Sequence, residues 1–240
     1  MRNVLVTGAS RGLGLAIAGQ LANDGFRVIA VARRPSPALD ALMAERQGRI
    51  EFRTCDLAQL EGLAAFVRQL RAETGPIWGL VNNAGLGTSG LLANMSVSQI
   101  EGLIRLNTTS PIMLTKFVAR GMMAEGEGRI VNMSSIVAST GFNGLSVYSA
   151  TKASLIGFTK ALARELGRVG VTVNAVAPGF IDTELTGGME AAERDRVVRR
   201  SALQRLAEVD DVAGAVSYLL SERARNVTGT VMTVDAGATA

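Results

Sequence analysis

The stretch NVLVTGASRGLGLAIAGQL, residues 3–21, decides the fold of this chain. Its short Val- and Leu-rich start predicts a buried strand, and the glycine-rich turn after it ends that pattern. From Gly14 onward apolar residues recur at helical spacing, which predicts an amphipathic helix packed on the strand. A strand, a glycine turn and a helix in direct succession form the first half of a parallel β-α-β unit.

The same alternation continues to the end of the 240 residues. Further Val- and Ile-rich runs, each too short for a helix, predict strands at residues 27–32, 50–55, 78–83, 129–134, 171–177 and 230–235. Amphipathic stretches such as 60–75 and 153–167 separate them. We therefore predict an α/β fold, a single Rossmann-type doubly wound domain over residues 1–240. Its seven-stranded, mostly parallel sheet would carry helices on both faces and bind ligands beyond the carboxyl ends of the strands.

Composition excludes several classes of function. The chain has no histidine, which rules out a Ser-His-Asp triad, a His-ligated zinc and a histidine base, and no metal site is predicted. Basic runs never exceed two residues and aromatic residues make up 4%, so we expect no nucleic-acid partner. The net charge of +4 fits either a slightly basic protein or one with an anionic ligand.

Cysteine usage and the start of the chain bear on its location. Cys55 is the only cysteine, so no disulfide forms within the chain. The start, MRNVLVTGAS, resembles neither a secretion signal nor a membrane span. We expect a cytoplasmic protein with no membrane association.

The glycine turn predicts a dinucleotide site. Gly8, Gly12 and Gly14 have the spacing G-x-x-x-G-x-G between a strand and a helix. Glycine lets a diphosphate approach the main chain, and the helix N-terminus offers N–H donors. The alternative interpretation, a purely structural turn, is disfavoured by the strand before it and the helix after it.

The end of the second strand predicts which dinucleotide binds. An acid that would take the ribose hydroxyls is missing, and Arg33 and Arg34 stand there. A guanidinium suits a 2′-phosphate, and Arg11 could add a second cation, so we predict NADP(H). Alternatively these arginines are solvated surface. Asp56, after the third strand, is a candidate partner for the adenine amino group or, alternatively, a helix N-cap.

Tyr148 and Lys152 form the candidate proton-transfer pair. They are four residues apart and share one face of a predicted helix. A nearby ammonium favours the phenolate, so we expect Lys152 to lower the pKa of Tyr148 and allow proton transfer without histidine. Ser135, at the end of the fifth predicted strand, could bond a substrate carbonyl oxygen.

Pro111 interrupts a stretch that otherwise reads as helix. It has no N–H, so the main-chain carbonyl of Asn107 loses its normal hydrogen-bond donor. That carbonyl could hold a water molecule; alternatively, Pro111 makes a simple packing kink.

The chain resembles the short-chain dehydrogenase/reductase family over essentially its whole length. The motifs are TGASRGLG at 7–14, NNAG at 82–85, RLNTTS at 105–110, NMSSIV at 132–137, YSATK at 148–152 and PGFIDT at 178–183. The resemblance implies a catalytic tetrad of Asn107, Ser135, Tyr148 and Lys152, with Lys152 on the nicotinamide ribose. Ser135 is preferred over Ser134 because its spacing to the tyrosine matches the family pattern.

The resemblance also implies where the rest of the cofactor would lie. Asn83–Gly85 would line it, Ile181 and Thr183 would hold its carboxamide, and residues of about 181–205 would form a lid. The full set of expected cofactor contacts is Gly8, Ser10, Arg11, Gly12, Leu13, Gly14, Arg33, Arg34, Asp56, Leu57, Asn83, Ala84, Gly85, Tyr148, Lys152, Pro178, Gly179, Ile181 and Thr183.

Within the family, the stretches 150–167 and 171–185 are most similar to bacterial 3-oxoacyl-[acyl-carrier-protein] reductases. This implies reduction of a 3-oxoacyl thioester, with apolar pocket residues at Leu86, Val137, Phe142 and Leu145. Those reductases commonly carry basic residues before GRI, where an acidic carrier can dock, whereas this chain has Glu125 and Glu127. A coenzyme A thioester or a small ketone therefore stays open.

The predicted lid is rich in arginine, in contrast to the acidic residues before GRI. It carries Arg194, Arg196, Arg199, Arg200 and Arg205, which could meet a phosphopantetheine or nucleotide phosphate; alternatively they form a solvated helix face.

Two other functions remain as alternatives. A sugar or polyol dehydrogenase often uses NAD, against which the Arg33–Arg34 pair argues. A regulator that binds NADP without turnover tends to lose the tyrosine or the lysine, and both are present here.

The resemblance also implies a homotetramer. Two predicted helices, 106–123 and 148–166, are apolar on more than one face, as family members that pair through them are. Candidate contact residues are Phe117, Met122, Leu155 and Phe158, which could equally be ordinary core.

Overall fold

The structure, a computed structural model, describes residues 1–181 and 191–240, without the side chains of residues 191–193. Within these residues seven strands form one sheet in the order β3-β2-β1-β4-β5-β6-β7, and all six pairings are parallel. The strands are β1 (Asn3–Thr7), β2 (Arg27–Ala32), β3 (Ile50–Thr54), β4 (Ile77–Asn82), β5 (Gly128–Met133), β6 (Val171–Pro178) and β7 (Val231–Val234).

Helices connect successive strands and cover both faces of the sheet. They are α1 (Gly12–Asn23), α2 (Pro37–Glu45), α3 (Leu63–Thr74), α4 (Val97–Ile104), α5 (Ser110–Glu125), α6 (Val137–Thr140), α7 (Ser146–Leu166), α8 (Ala191–Arg200) and α9 (Val209–Leu220). Short 3₁₀ turns occupy Leu60–Gly62, Leu92–Asn94, Gly167–Val169 and Glu222–Ala224.

The predicted α/β, doubly wound architecture is confirmed, with strand boundaries shifted by a residue or two. The central strands β1, β4, β5 and β6 are buried along their whole length, because each has helices on both faces. One apolar cluster lies on each side of the sheet. Strand order reverses at β1, between β2 and β4, which opens the crevice where such sheets bind ligands.

The helix around Asn107 is irregular, as Pro111 suggested. Residues Arg105–Thr109 form a π-helical turn between α4 and α5, and the N–H of Ser110 donates to the carbonyl of Arg105. Proline within the first turn of α5 supplies no donor there, and the wider turn accommodates that loss. Such turns often occur at functional sites.

Across the described ranges, no helix has both the length and the apolar content that crossing a membrane requires.

Candidate active site

The glycine loop is built for close main-chain approach. Gly8 has a φ of +67°, and a Cβ there would lie 2.9 Å from the Cα of Ala84. A Cβ on Gly14 would lie 2.2 Å from the carbonyl oxygen of Gly8. These two glycines are therefore required by packing, whereas a Cβ on Gly12, at φ +51°, would meet open space. Helix α1 begins at Gly12 without a side-chain cap, so its first N–H groups can donate to an anion.

Thr7, which sequence reasoning missed, joins this loop to the end of β4. Its hydroxyl accepts from the N–H groups of Asn83 (2.9 Å) and Ala84 (3.0 Å) and donates to Val81. The Asn83 side chain returns a bond to the Thr7 carbonyl at 2.9 Å. The hydroxyl at the last position of β1 is the sequence signal that could have found it.

Arg33 and Arg34 follow β2 on the same edge of the sheet. Both are exposed, and neither forms a hydrogen bond or ion pair within the described part of the chain. Ser36 fixes the segment that carries them, since its hydroxyl caps α2 at the N–H of Leu39 and donates to the carbonyl of Ser10. The two cations are thus held beside the glycine loop and remain available to a ligand.

Asp56 and Leu57 follow β3. Asp56 is exposed, and its carboxylate accepts from the N–H of Ala58 at 3.0 Å, which makes a local turn rather than the helix N-cap that was the alternative. The side chain of Leu57 is buried in the core, so a contact of this residue with a cofactor would use its main chain.

Ser135 and Tyr148 are brought together, and Ser134 has a different role. The Ser135 hydroxyl lies close enough to Tyr148 to influence the pKa of its phenol. Ser134 is buried, and its hydroxyl donates to the carbonyl of Lys152 at 2.9 Å, which ties the end of β5 to α7. This geometry favours Ser135 as the group that faces a substrate.

Lys152 is one of the few charged side chains that the described residues bury. Its exposed fraction is 5%, and its ammonium donates to the carbonyl of Met133 at 2.8 Å. The ammonium lies 5.7 Å from the centre of the Tyr148 ring. Burial lowers the pKa of Lys152 to about 8, because the charged form loses its hydration.

The expected direction of the Tyr148 pKa was wrong. Burial raises the pKa of the phenol, and the nearby Ser135 hydroxyl opposes that shift without cancelling it. The Lys152 ammonium, 5.7 Å from the centre of the ring, does not reverse that direction. At neutral pH Tyr148 therefore carries its proton.

Asn107 is buried in the π-helical turn and holds the segment after β4. Its Oδ1 accepts from the N–H of Leu86, and its Nδ2 donates to the Leu86 carbonyl, both at 2.8 Å. The Nδ2 also donates to the hydroxyl of Thr151 on α7. A Cβ on Gly85 would lie 3.3 Å from the Asn107 Oδ1 and 3.5 Å from the Lys152 Nζ. Two members of the predicted tetrad, Asn107 and Lys152, thus approach Gly85 at the carboxyl edge of the sheet.

The expected carboxamide segment lies at the end of β6. The carbonyl of Pro178 accepts from the N–H of Ile136, next to Ser135, at 3.0 Å. Ile181 is buried and forms a parallel bridge with Ala207. Thr183 and residues 182–190 of the expected lid lie outside the described residues.

The expected apolar pocket residues divide into two groups. Leu86 and Phe142 are exposed, and the ring of Phe142 packs on that of Phe180 with 5.2 Å between centroids. Leu145 is half-buried. The expectation that Val137 lines the pocket was wrong, because its side chain is 4% exposed and belongs to the protein interior.

The chain is similar to known proteins in both sequence and structure. The family model described as short chain dehydrogenase matches residues 2–194. The chain is 39% identical over 236 residues to 3-oxoacyl-[acyl-carrier-protein] reductase FabG of Escherichia coli, covering 97% of this chain and 95% of that protein. A gluconate 5-dehydrogenase from Burkholderia cenocepacia, solved with NADP and tartrate, superposes with a TM-score of 0.95 at 30% identity, covering 99% of this chain and 95% of that one. ElxO with NADP bound superposes with a TM-score of 0.92, also at 30% identity, covering 99% and 98%.

Proposed function

Because the chain belongs to the short chain dehydrogenase family and is therefore an oxidoreductase, we propose that it reduces the carbonyl of a 3-oxoacyl thioester with NADPH. The product is the 3-hydroxyacyl thioester. One observation carries the proposal: Asn107 and Lys152 both approach Gly85 next to the glycine loop, and Tyr148, on the same helix as Lys152, lies beside Ser135. The relatives named 3-oxoacyl-[acyl-carrier-protein] reductases, at 39% identity, support the substrate class.

The cofactor assignment rests on a fit between site and ligand. The open N-terminus of α1 and the bare main chain of Gly12 suit a diphosphate, and the unpaired Arg33 and Arg34 suit a 2′-phosphate. The predicted preference for NADP(H) agrees with the two solved neighbours, each of which holds NADP.

Proton transfer is the task of Tyr148. When bound, NADPH supplies the hydride that adds to the carbonyl carbon. Tyr148 then supplies the proton that the carbonyl oxygen needs, and its raised pKa keeps the phenol protonated at neutral pH. The Ser135 hydroxyl, which lies beside that phenol, would donate a second hydrogen bond to the same oxygen.

Lys152 and Asn107 support this pair. With a pKa of about 8, Lys152 keeps its positive charge at neutral pH in a buried position, where a charge acts over a longer range than in water. Asn107 fixes the segment after β4 against α7 through its bonds to Leu86 and Thr151.

Glu127, one of the two glutamates before GRI, has structural partners. Glu127 accepts from the Trp78 ring N–H at 3.0 Å and pairs with Arg2 at 2.9 Å, at the amino end of β5. It is a structural group at the edge opposite the site, so it does not argue against a thioester on an anionic carrier.

Helix α8 offers the positive charge that such a carrier needs. Arg196, Arg199 and Arg200 share one face, are exposed, and have no ion pair with any described residue. The shared chemistry of an acyl carrier protein and coenzyme A is a phosphopantetheine phosphate, which these arginines would bind. We assign them to carrier binding.

A gluconate-type sugar acid is the second candidate substrate. The solved neighbour from Burkholderia cenocepacia favours it through overall similarity. The exposed, apolar Leu86 and Phe142 favour an acyl chain instead. NADP binding without turnover is the remote third possibility.

The tetramer and the cytoplasmic location stay part of the proposal. A groove of about 370 Å³ between α4, the π-helical turn and α7 exposes apolar side chains that include Leu92, Ile100, Ile104 and Val147. Such a surface suits contact with a second copy. Met122 and Leu155 were candidate contact residues, but both are core residues and are not available for that contact. Sedimentation of the purified protein tests the oligomeric state, and fractionation of cells tests the location.

A substrate panel tests the proposed function. Acetoacetyl-CoA, a 3-oxoacyl-acyl carrier protein, simple ketones and gluconate are offered with NADPH or NADP, and again with NADH or NAD. We expect turnover of the thioesters with NADPH. A higher kcat/KM for the carrier protein that falls in an Arg196→Ala/Arg199→Ala/Arg200→Ala variant would identify the carrier; equal turnover of CoA and carrier thioesters would assign the phosphopantetheine alone. Turnover of gluconate but of neither thioester would contradict the proposal.

A further inference from the structure

The C-terminal turn of the chain contacts the segment expected to hold the nicotinamide. This turn follows β7 and comprises Asp235–Thr239. Most of its side-chain hydrogen bonds are made by Asp235. Its carboxylate accepts from the N–H of Gly237 (2.9 Å), the N–H of Thr239 (2.9 Å) and the hydroxyl of Thr239 (2.7 Å). The N–H of Ala238 also donates to the Asp235 carbonyl at 3.1 Å. One carboxylate thus folds the whole turn.

This turn needs such a carboxylate because its main chain is strained. Ala236 has a φ of +55°, in the left-handed region that a residue with a Cβ adopts at a cost of about 1 kcal/mol. Gly237 follows with a φ of +81°. Strained main chain of this kind persists where surrounding bonds determine it.

The turn holds the end of β6 from one side. The N–H of Gly179 donates to the carbonyl of Val234 at 2.9 Å. A Cβ on Gly179 would lie 2.7 Å from the Cβ of Asp235, so the two main chains touch without room for a side chain. Gly179 and Phe180 separate Pro178 from the predicted carboxamide contact Ile181, so the position of this segment is limited by the bond to Val234 and by the close approach of Asp235.

The same turn holds the segment that pairs with Ile181. The carbonyl of Ala236 accepts from the hydroxyl of buried Ser201 at 2.5 Å and from the N–H of Leu203 at 3.0 Å. The carbonyl of Gly237 accepts from the N–H of Ala202 at 3.3 Å. Residues 201–203 lead directly to Ala207, the partner of Ile181 in the parallel bridge. Both strands of that bridge are therefore anchored on one turn.

We propose that Asp235 is a positioning residue for the nicotinamide half of the cofactor. It acts through the C-terminal turn on Gly179 and on residues 201–207, and so fixes Ile181 between them. The inference rests on the proposed use of NADP(H). It predicts that the loss of the carboxylate weakens the nicotinamide half of the site and leaves the adenosine half, at Arg33 and Arg34, unchanged.

Calorimetry with two ligands tests this separation. NADPH occupies both halves, whereas adenosine 2′,5′-bisphosphate occupies the adenosine half alone. We expect Asp235→Ala to weaken NADPH about tenfold and to leave the bisphosphate within about twofold of the parent protein. Amide hydrogen exchange should accelerate at residues 179–181 and 201–207. Asp235→Asn keeps one acceptor oxygen and should restore part of the NADPH affinity.

Asp24→Ala is the matched control. Asp24 is also an aspartate whose side chain accepts hydrogen bonds, from Gln20 and Ser217. It lies at the C-terminal end of α1, and its partner Ser217 belongs to α9. Its variant should bind both ligands normally. Unchanged NADPH affinity in Asp235→Ala, or equal weakening of both ligands, overturns the proposal, and Asp235→Asn decides the same comparison if the alanine variant does not fold. A parent protein that binds neither ligand would refute the proposed cofactor instead.

Discussion

The two edges of the sheet use polar side chains in opposite ways. At the amino edge the polar groups are partnered with one another: Trp78 bonds Glu127 and lies 4.4 Å from the Arg2 guanidinium, and Arg2 also pairs with Glu222. Phe26 stacks on the same indole at 5.6 Å. These groups satisfy each other and stabilise the fold.

At the carboxyl edge several polar groups are left for a ligand. Arg33 and Arg34 have no described partner, α1 has no side-chain cap, and the Lys152 ammonium is buried at an energetic cost. The difference teaches that the polar groups of the amino edge serve stability, whereas those of the carboxyl edge are kept for a ligand, in the case of Lys152 at a cost in stability. Substitutions at the amino edge should therefore leave activity unchanged, and a substitution at Lys152 should change stability as well as activity.

The largest expected effect is on turnover at the carboxyl edge. Tyr148→Phe removes the proposed proton donor and should lower kcat for the proposed thioester reduction roughly a thousandfold, with little change in thermal stability. Steady-state NADPH oxidation measures it. The chain offers one matched control, Tyr218→Phe on α9, which should behave as the parent. Comparable turnover in both variants would refute the role of the Tyr148 hydroxyl.

Lys152 gives the next largest effect, and it concerns stability. Its folded pKa of about 8 lies below the unfolded value of 10.5, so between these pH values the unfolded chain binds more protons. Stability from this group therefore rises with pH from about 8 to 10.5, by roughly 3 kcal/mol. Lys152→Met should abolish this part of the rise.

Urea unfolding without cofactor, at several pH values, measures that difference. Lys160→Met, an exposed lysine on the same helix, is the control and should keep the parent slope. Parallel pH profiles for the parent and Lys152→Met would show that the buried ammonium carries no such cost.

The fold could be predicted from the sequence, and the candidate site could be proposed from it, because their signals are local. Val- and Ile-rich runs locate the strands, and the glycine spacing marks the turn after β1. The Tyr148 pKa direction could not be predicted, since burial and the direction of the Lys152 ammonium depend on how α7 packs on β5. The amino-edge cluster was missed because Arg2, Trp78 and Glu127 become neighbours only through the order of β1, β4 and β5.

Cofactor choice gives a smaller effect at the carboxyl edge. Arg33→Ala/Arg34→Ala removes two charge-assisted contacts to a 2′-phosphate and should weaken NADPH about 10- to 100-fold, while NADH stays within about threefold. Titration of both cofactors measures the ratio. Arg223→Ala/Arg225→Ala, two exposed arginines beside Glu222, should alter neither affinity. Equal weakening of NADPH and NADH would assign Arg33 and Arg34 to structure instead.

The smallest effect tests the amino edge. Glu127→Ala leaves the ring N–H of buried Trp78 without its acceptor and removes one partner of Arg2, so the free energy of unfolding should fall by about 1 kcal/mol. Its neighbour Glu125, exposed and without a described partner, is the control, and Glu125→Ala should change stability by less than about 0.5 kcal/mol. Both variants should keep the parent kcat/KM for a carrier-protein thioester, because the paired Glu127 lies at the edge opposite Tyr148. A higher kcat/KM in Glu127→Ala would mean that this glutamate repels an acidic carrier, and the separation between the two edges would then fail.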